Sequence, residues 1–174
     1  MTREESLQFL DQKYDELINW LSKHNDDDFE LITREGKWTA GQHLEHLILT
    51  TKPINQALRL PKIALKLKFG ICNREERSVE EYKAKYKDKL ATSYTLDSSS
   101  FDPRTVKNSE KGNLMNKFEK ERQRLKTIVQ KWSEKDLSKY VLPHPLLGKM
   151  TIRELLNFVA FHAEHHLNTL KKYH

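Results

Sequence analysis

Apolar residues recur every three or four positions in several long stretches of this chain, and that spacing places them along one face of an α-helix. The first such face is formed by Leu7, Leu10, Tyr14, Leu17, Ile18 and Leu21. Thr2 and Glu5 precede it in the capping-box pattern that begins many helices. A helix is therefore predicted from Thr2 to about Lys23.

A second helix is predicted to begin at Thr39, with Gln42 as its capping-box partner, and to extend to about Leu60. Its apolar face is supplied by Leu44, Leu47 and Ile48. Pro53 lies within this stretch and cannot donate a backbone hydrogen bond, so it is expected either to end or to kink the helix.

The same periodicity predicts a third long helix over residues 113–132 and a last one over residues 151–171. Shorter helices are expected at about residues 78–90 and 133–136. Four long helices predict an all-α fold, an antiparallel four-helix bundle with short extra helices. The 174 residues suffice for one domain with a real core, so residues 1–174 are interpreted as a single domain.

Three segments lack a clear helical period. In residues 61–77 apolar residues alternate with lysines, which indicates an irregular or short helical connection. Residues 91–112 are rich in Ser, Asp and Lys and are expected to form a long loop, a kind of segment that is often functional or mobile. Pro143 and Pro145 indicate a loop over residues 141–148.

The composition indicates a helical protein that works inside the cell. Charged residues make up 32% of the chain against 37% hydrophobic residues, with only five glycines and five prolines. The single cysteine, Cys72, excludes an internal disulfide and fits a reducing compartment. The N-terminus has no secretory pattern, and no stretch approaches the roughly 18 apolar residues that span a membrane. A soluble, cytoplasmic protein is expected.

The net charge of +6 raises the question of a nucleic-acid or anionic-membrane partner. The basic residues are spread along the chain and mixed with 25 acidic residues, which is typical of a solvated surface. Around Lys62, Lys66 and Lys68, aromatic residues suited to stack on bases are sparse. Binding through these lysines stays an alternative, but neither a nucleic acid nor a membrane is the expected partner.

Two histidines on the last helix suggest a metal site. His162 and His166 stand one helical turn apart on the apolar face, a spacing at which both rings can bind one ion. A buried imidazole costs free energy unless something satisfies it, and a metal ion is one such partner. A catalytic zinc site takes three protein ligands and keeps one position open. The second helix offers His43 and His46, which both flank its apolar face.

Two other histidines have less obvious roles. His165 lies on the opposite edge of the helix from His166, so it is expected at the rim of such a site, next to the metal ligands or facing a substrate. His144 lies between Pro143 and Pro145, where a role in the turn is expected.

Two blocks of the sequence resemble those of the DinB/YfiT-like family. The first is KWTAGQHLEHL, residues 37–47, in which a Trp-Thr start leads to a His-Leu pair. The second is HPLLGKMT, residues 144–151, followed by FHAEHH, residues 161–166. The order of the blocks and the length of the chain extend this resemblance over nearly the whole sequence.

The resemblance implies an antiparallel four-helix bundle in which three histidines hold a divalent metal, often zinc or nickel. Carried over by motif position, these ligands are His46, His162 and His166. His46 is chosen over His43 because it precedes Leu47 as the family's ligand precedes its apolar residue. The resemblance also implies a homodimer.

The activity that the resemblance implies is that of a metal-dependent enzyme with a small-molecule substrate. Many members are described as metal-dependent hydrolases, and some relatives transfer low-molecular-weight thiols, used as a cosubstrate, onto electrophiles. Residues 167–169, Leu-Asn-Thr, stand where many thiol transferases carry Arg-Gly-Gln, so this chain departs from them. The alternative is a non-catalytic helical stress-response or binding module whose histidines are structural.

Overall fold

The computed structural model describes residues 1–92 and 101–174 of the chain. Its helices and strands follow in the order α1 (Arg3–Lys23), α2 (Ala40–Ala57), α3 (Lys62–Phe69), α4 (Val79–Thr92), α5 (Lys111–Val129), α6 (Glu134–Lys139), β1 (Val141–His144), β2 (Gly148–Thr151) and α7 (Ile152–Tyr173). Short 3-10 turns occupy residues 26–28 and 108–110. None of the helices described is long and apolar enough to cross a lipid bilayer.

The long helices α1, α2, α5 and α7 form a four-helix bundle, as the sequence predicted. α1 packs most extensively on α7, and α2 packs most extensively on α5. α1 and α7 run in the same direction, because Arg153 at the start of α7 donates to Met1 O, and Lys13 pairs with Glu164 further along both helices. The bundle is thus built from two pairs of helices.

The two pairs run in opposite directions, so the predicted antiparallel packing holds between them. Lys111 at the start of α5 reaches the His24 carbonyl at the end of α1, whereas Lys126 near the end of α5 pairs with Asp11. The chain reverses in residues 24–39, which follow α1, and in residues 130–151, which follow α5 and contain α6 and the two strands. The long connection over residues 58–110 carries it back to the starting end, which is why α2 and α5 run the same way.

Tyr14 of α1 packs in the core of the bundle. Its ring stacks on Phe118 of α5 with centroids 4.1 Å apart, and both side chains are fully buried. Its hydroxyl forms a hydrogen bond of 3.2 Å with Thr51 Oγ1 of α2. Because tyrosine combines a large apolar ring with a polar tip, this one side chain joins three of the four helices.

Three long helices begin at the capping boxes that the sequence predicted. In each, a threonine hydroxyl accepts a hydrogen bond from the backbone N–H three residues on, and the side chain of that residue accepts from the threonine N–H. The pairs are Thr2–Glu5 for α1, Thr39–Gln42 for α2 and Thr151–Glu154 for α7. Local sequence therefore sets where α2 and α7 start, and with it the position of every residue along them.

Gly41 allows the first turn of α2 to lie against its neighbours. A Cβ atom at this position would lie 2.8 Å from Val106 Cγ1 and 2.9 Å from Phe29 Cε1, so a side chain there would clash. The Gly41 N–H donates to Phe29 O at 2.9 Å. α2 then continues through Pro53 to Ala57, so the proline does not end the helix.

Residues 141–151 form a β-hairpin where the sequence predicted a loop over residues 141–148. β1 and β2 pair in antiparallel register, with Pro143 opposite Lys149. Pro143 is exposed at the edge of the two-stranded sheet, where its missing N–H is tolerated. Each strand has only four residues, which is too short for an alternating pattern to stand out in the sequence.

The connection between α2 and α5 is more regular than the sequence indicated. α3 lies in the segment predicted as irregular or short helical, and it leaves Ile63 and Leu67 exposed. α4 agrees with the predicted short charged helix. Of the predicted loop over residues 91–112, residues 93–100 lie outside the described residues, and residues 102–107 have no regular structure.

A buried carboxylate anchors this connection to the start of α7. Glu154 is 2% exposed and accepts hydrogen bonds from the guanidinium groups of Arg74 and Arg77 and from the Thr151 N–H. Burial alone would raise the pKa of this carboxyl, but these donors outweigh burial and lower the pKa to about 2. The segment before α4 is therefore held beside the hairpin and the first turn of α7.

Candidate metal centre

Two helices bring four histidine rings together inside the bundle. His43 and His46 lie in the first two turns of α2, and His162 and His166 lie one turn apart on α7. α2 and α7 run in opposite directions, so His46 faces His162 while His43 faces His166. His46 is half-buried, and the other three rings are buried.

Ring nitrogens of His46, His162 and His166 converge on one point. His46 Nε2 lies 3.4 Å from His162 Nε2, and His162 Nε2 lies 2.9 Å from His166 Nε2. One nitrogen from each of the three rings lies within 4.8 Å of the other two. The structure thus brings together the three residues to which the family resemblance assigned a common role.

Two of these rings are held through their outer nitrogens. His46 Nδ1 lies 2.8 Å from Phe101 O, and a carbonyl oxygen only accepts, so Nδ1 donates and His46 Nε2 keeps its lone pair. His166 Nδ1 lies 2.6 Å from His43 Nδ1. When His166 Nδ1 is the donor of this pair, His166 Nε2 also keeps its lone pair. His43 is then a hydrogen-bond acceptor behind the cluster rather than a member of it.

The arrangement fits a divalent metal ion. With Zn–N bonds of 2.0–2.1 Å, the ligand nitrogens of a tetrahedral site lie about 3.3 Å apart. The 3.4 Å between the His46 and His162 nitrogens matches this spacing, and the 2.9 Å between those of His162 and His166 needs only a small side-chain rotation. One hydrogen atom cannot satisfy three converging nitrogens, so an ion removes the cost of a buried lone pair without a partner. Outer-nitrogen hydrogen bonds of the kind made by His46 commonly accompany metal-bound histidines.

The cluster lies on the wall of a cavity of about 590 Å³. Thr50 and Asp102 also line it. The rest of its wall is mostly apolar and aromatic and includes Trp38, Ile54, Tyr86, Leu155, Phe158 and Val159. A concave apolar site with a few convergent polar groups is typical of small-molecule binding.

Two further histidines line the same cavity. His165, expected at the rim, packs its ring with centroids 5.6 Å from Tyr86 and 5.4 Å from His166. His144 has the turn role expected of it, because its Nδ1 accepts from two backbone N–H groups of the hairpin turn. It also lines the cavity, which the sequence did not indicate, because the hairpin that carries it had no recognisable strand pattern.

The acidic residues that adjoin the cluster in sequence form ion pairs with residues that do not line the cavity. Glu45 Oε1 lies 3.1 Å from the Arg104 guanidinium. Glu164 pairs with Lys13 at 2.8 Å and with Lys83 at 3.6 Å. Glu45 is thus paired through one carboxylate oxygen and Glu164 through both, in each case with cations outside the cavity lining.

Burial keeps the cluster in its neutral form. It lowers the pKa of His162 and His166 well below the ordinary 6.5, and the neighbouring rings lower both further. Burial also lowers the pKa of His46, against the opposing effect of the Phe101 carbonyl, and lowers the pKa of His43 to about 3. Neutral imidazole is the form that binds metal, so these rings need no deprotonation at neutral pH.

The structure is thus a helical bundle with a three-histidine cluster on the wall of a mostly apolar cavity. A model of the DinB superfamily matches residues 9–170, and the chain belongs to that superfamily. None of the curated proteins matches the chain.

Two solved structures share the fold. TT2238, described as a four-helix bundle protein, is 20% identical with a TM-score of 0.60, over 98% of this chain and 99% of that one. YfiT from Bacillus subtilis, described as a probable metal-dependent hydrolase with an unusual four-helix bundle topology, is 16% identical with a TM-score of 0.61, over 98% of this chain and 85% of that one. At such identities the likeness shows the fold alone.

The metal-free protein is expected to lose stability as the pH falls below about 6.5. Unfolded histidines titrate near 6.5, whereas in the folded chain burial lowers the pKa of His162 and His166 well below this value, that of His43 to about 3 and that of His144 to about 4. The unfolded state therefore binds more protons below pH 6.5. Each ring then costs about 1.4 kcal/mol of folding free energy per pH unit until its folded pKa is reached.

Urea denaturation of the metal-free protein at pH 7.5, 6.5 and 5.5 measures this effect. The pKa of Glu154 is about 2, so that buried carboxylate stays ionised throughout this range. A free energy of unfolding that is the same at pH 7.5 and pH 5.5 would show that the rings are not buried in neutral form.

Proposed function

We propose that this protein is a divalent-metal-dependent enzyme of hydrolase type that acts on a small-molecule substrate. In this proposal His46, His162 and His166 hold one zinc or nickel ion, and residues 1–174 act as a single domain. The observation that carries the proposal is the convergence of three neutral ring nitrogens on one point in the wall of a cavity. Three protein ligands leave one coordination position open to the cavity.

The chain's own residues define how such a site works. Phe101 O orients the His46 ring and His43 orients the His166 ring, so that both present lone pairs inward. The apolar wall, with Trp38 and Phe158, binds the body of a substrate and excludes bulk water. A divalent ion in this place supplies Lewis-acid chemistry, lowering the pKa of a water molecule towards 7 or stabilising a thiol as thiolate.

Transfer of a low-molecular-weight thiol is the second chemistry that the same site supports. The thiol would have to come from a cosubstrate, because Cys72, the single cysteine of the chain, does not line the cavity. Residues 167–169 depart from the thiol-transferase pattern, which favours hydrolysis.

The free thiol of Cys72 also accords with the proposed cytoplasmic location. A homodimer remains part of the proposal, and α3 offers an exposed apolar face with Ile63 and Leu67.

Protein purified without a polyhistidine tag is expected to contain about one zinc or nickel ion per chain. The double variant His162→Ala, His166→Ala removes two of the three ligands and should retain less than a tenth of that metal. His24→Ala changes a histidine outside the cavity and serves as the matched control. Elemental analysis measures all three. If the wild-type protein contains no metal as purified and a chelator leaves its stability unchanged, the result would instead support a non-catalytic helical module with structural histidines.

Hydrolase and thiol-transferase chemistry are separated by two assays on the same zinc-loaded protein. For a hydrolase, p-nitrophenyl acetate is cleaved without added thiol, and the rate falls at least tenfold in the double histidine variant because the metal is lost. For a transferase, 1-chloro-2,4-dinitrobenzene is consumed only when cysteine or glutathione is added. Rates equal to those of the double variant in both assays would contradict an enzymatic role towards these reactants.

His43 is expected to strengthen metal binding without touching the ion. His43→Ala leaves the buried His166 Nδ1–H without its acceptor, and the loss of such an outer partner typically weakens metal affinity by about 10–100-fold. His43→Asn places an amide oxygen close to the lost Nδ1, so it should recover part of the affinity. Competition with a chromophoric zinc chelator measures all three proteins. Equal affinity of His43→Ala and wild type would show that His43 plays no such part.

A further inference from the structure

His144 combines a place in the hairpin turn with a place on the cavity wall. Its Nδ1 accepts hydrogen bonds from the backbone N–H groups of Leu146 at 3.1 Å and Leu147 at 3.2 Å. Its ring lines the same cavity as the histidine cluster. The three metal ligands of the proposed function do not include it.

The two backbone bonds determine which nitrogen of His144 carries the hydrogen atom. A backbone N–H only donates, so Nδ1 must offer a lone pair to both Leu146 and Leu147. The hydrogen of the neutral ring therefore sits on Nε2. Among residues 1–92 and 101–174, Nε2 of His144 makes no hydrogen bond. The hairpin turn thus fixes the orientation of the His144 ring, and the Nε2–H donor of that ring takes no part in the turn.

Two aromatic rings place His144 next to the cluster. Phe158 lies with its ring centroid 4.5 Å from His144 and 5.4 Å from His162. Tyr86 lies 6.3 Å from His144 and 6.0 Å from His162. Both rings line the cavity, so His144 and His162 are set on one stretch of its wall and separated by aromatic surface.

We propose that His144 is a substrate-binding residue whose Nε2–H donates a hydrogen bond to an acceptor oxygen of the substrate beside the histidine cluster. This inference rests on the proposed function and names the class of molecule more closely. The substrate carries a carbonyl or similar acceptor oxygen that reaches the cluster, and an apolar body that packs against Phe158 and Tyr86. A donor aimed at the reacting oxygen is the kind of group that stabilises developing negative charge there.

A purely structural role for His144 is separated from this one by substitution with asparagine. The Oδ1 atom of asparagine can take the place of Nδ1 and accept the same two backbone N–H groups, as in an Asx turn. The shorter side chain has no group where Nε2–H stood. His144→Asn therefore keeps the turn and removes the donor, and His24→Asn is the matched control outside the cavity.

The first measurement is the tautomer of His144 in metal-free wild-type protein at pH 7.5. The ¹⁵N chemical shifts of its ring are expected to show a protonated Nε2 and an unprotonated Nδ1, with the signals assigned by their absence in His144→Asn. A hydrogen on Nδ1, or rapid exchange between the two forms, would overturn the inference whatever the outcome with metal.

The second measurement is calorimetric binding of acetohydroxamate, a small carbonyl-bearing metal ligand, to the zinc-loaded proteins. His144→Asn is expected to hold as much zinc as wild type and to bind acetohydroxamate about tenfold more weakly, the effect of losing one hydrogen bond. His24→Asn is expected to match wild type. If His144→Asn holds as much zinc as wild type and binds acetohydroxamate within twofold of the wild-type affinity, the role inferred for His144 is wrong while the proposed function stands. A wild type that takes up no zinc would contradict the proposed function and this inference together.

Discussion

A buried imidazole costs free energy unless its nitrogens find partners, and three buried histidine rings and the half-buried ring of His46 meet between α2 and α7. The outer nitrogens of His46 and His166 have partners in Phe101 O and His43. The inner nitrogens face one another at 2.9 and 3.4 Å, where a single hydrogen atom cannot serve all of them. The three inner nitrogens therefore lack enough hydrogen atoms to satisfy one another, and a divalent ion between them would accept one lone pair from each ring.

The rest of the fold serves to hold those rings in place. Capping boxes at Thr39 and Thr151 set the start of α2 and α7, and the close approach at Gly41 sets the first turn of α2. The opposite directions of the two helices then bring residues 43 and 46 against 166 and 162. Arg74 and Arg77 bind Glu154 and so hold the segment before α4 at the start of α7. Tyr86 of α4 and the turn of the hairpin then line the cavity. The same few contacts thus set the geometry of the site.

What the sequence could predict follows from the range of the interactions involved. Helix periods and threonine caps are local, so the sequence predicts the four long helices, the starts of α1, α2 and α7, and the pairing of His162 with His166. The choice of His46 came from the family resemblance, because spacing alone left His43 open. Long-range contacts such as His43 with His166, or His46 with the Phe101 carbonyl, leave no trace in local pattern. The hairpin was missed because four-residue strands interrupted by Pro143 show no alternation, and the cavity-facing position of His144 was missed with it.

X-ray absorption at the metal edge of the zinc-loaded protein counts the imidazole rings bound to the ion, which are three, from two helices, in the proposed site. We expect a first shell of three imidazole nitrogens at about 2.0–2.1 Å and one oxygen atom, with the outer-shell scattering that imidazole rings give. A first shell of oxygen atoms only, or one that contains a sulfur atom from Cys72, would contradict it.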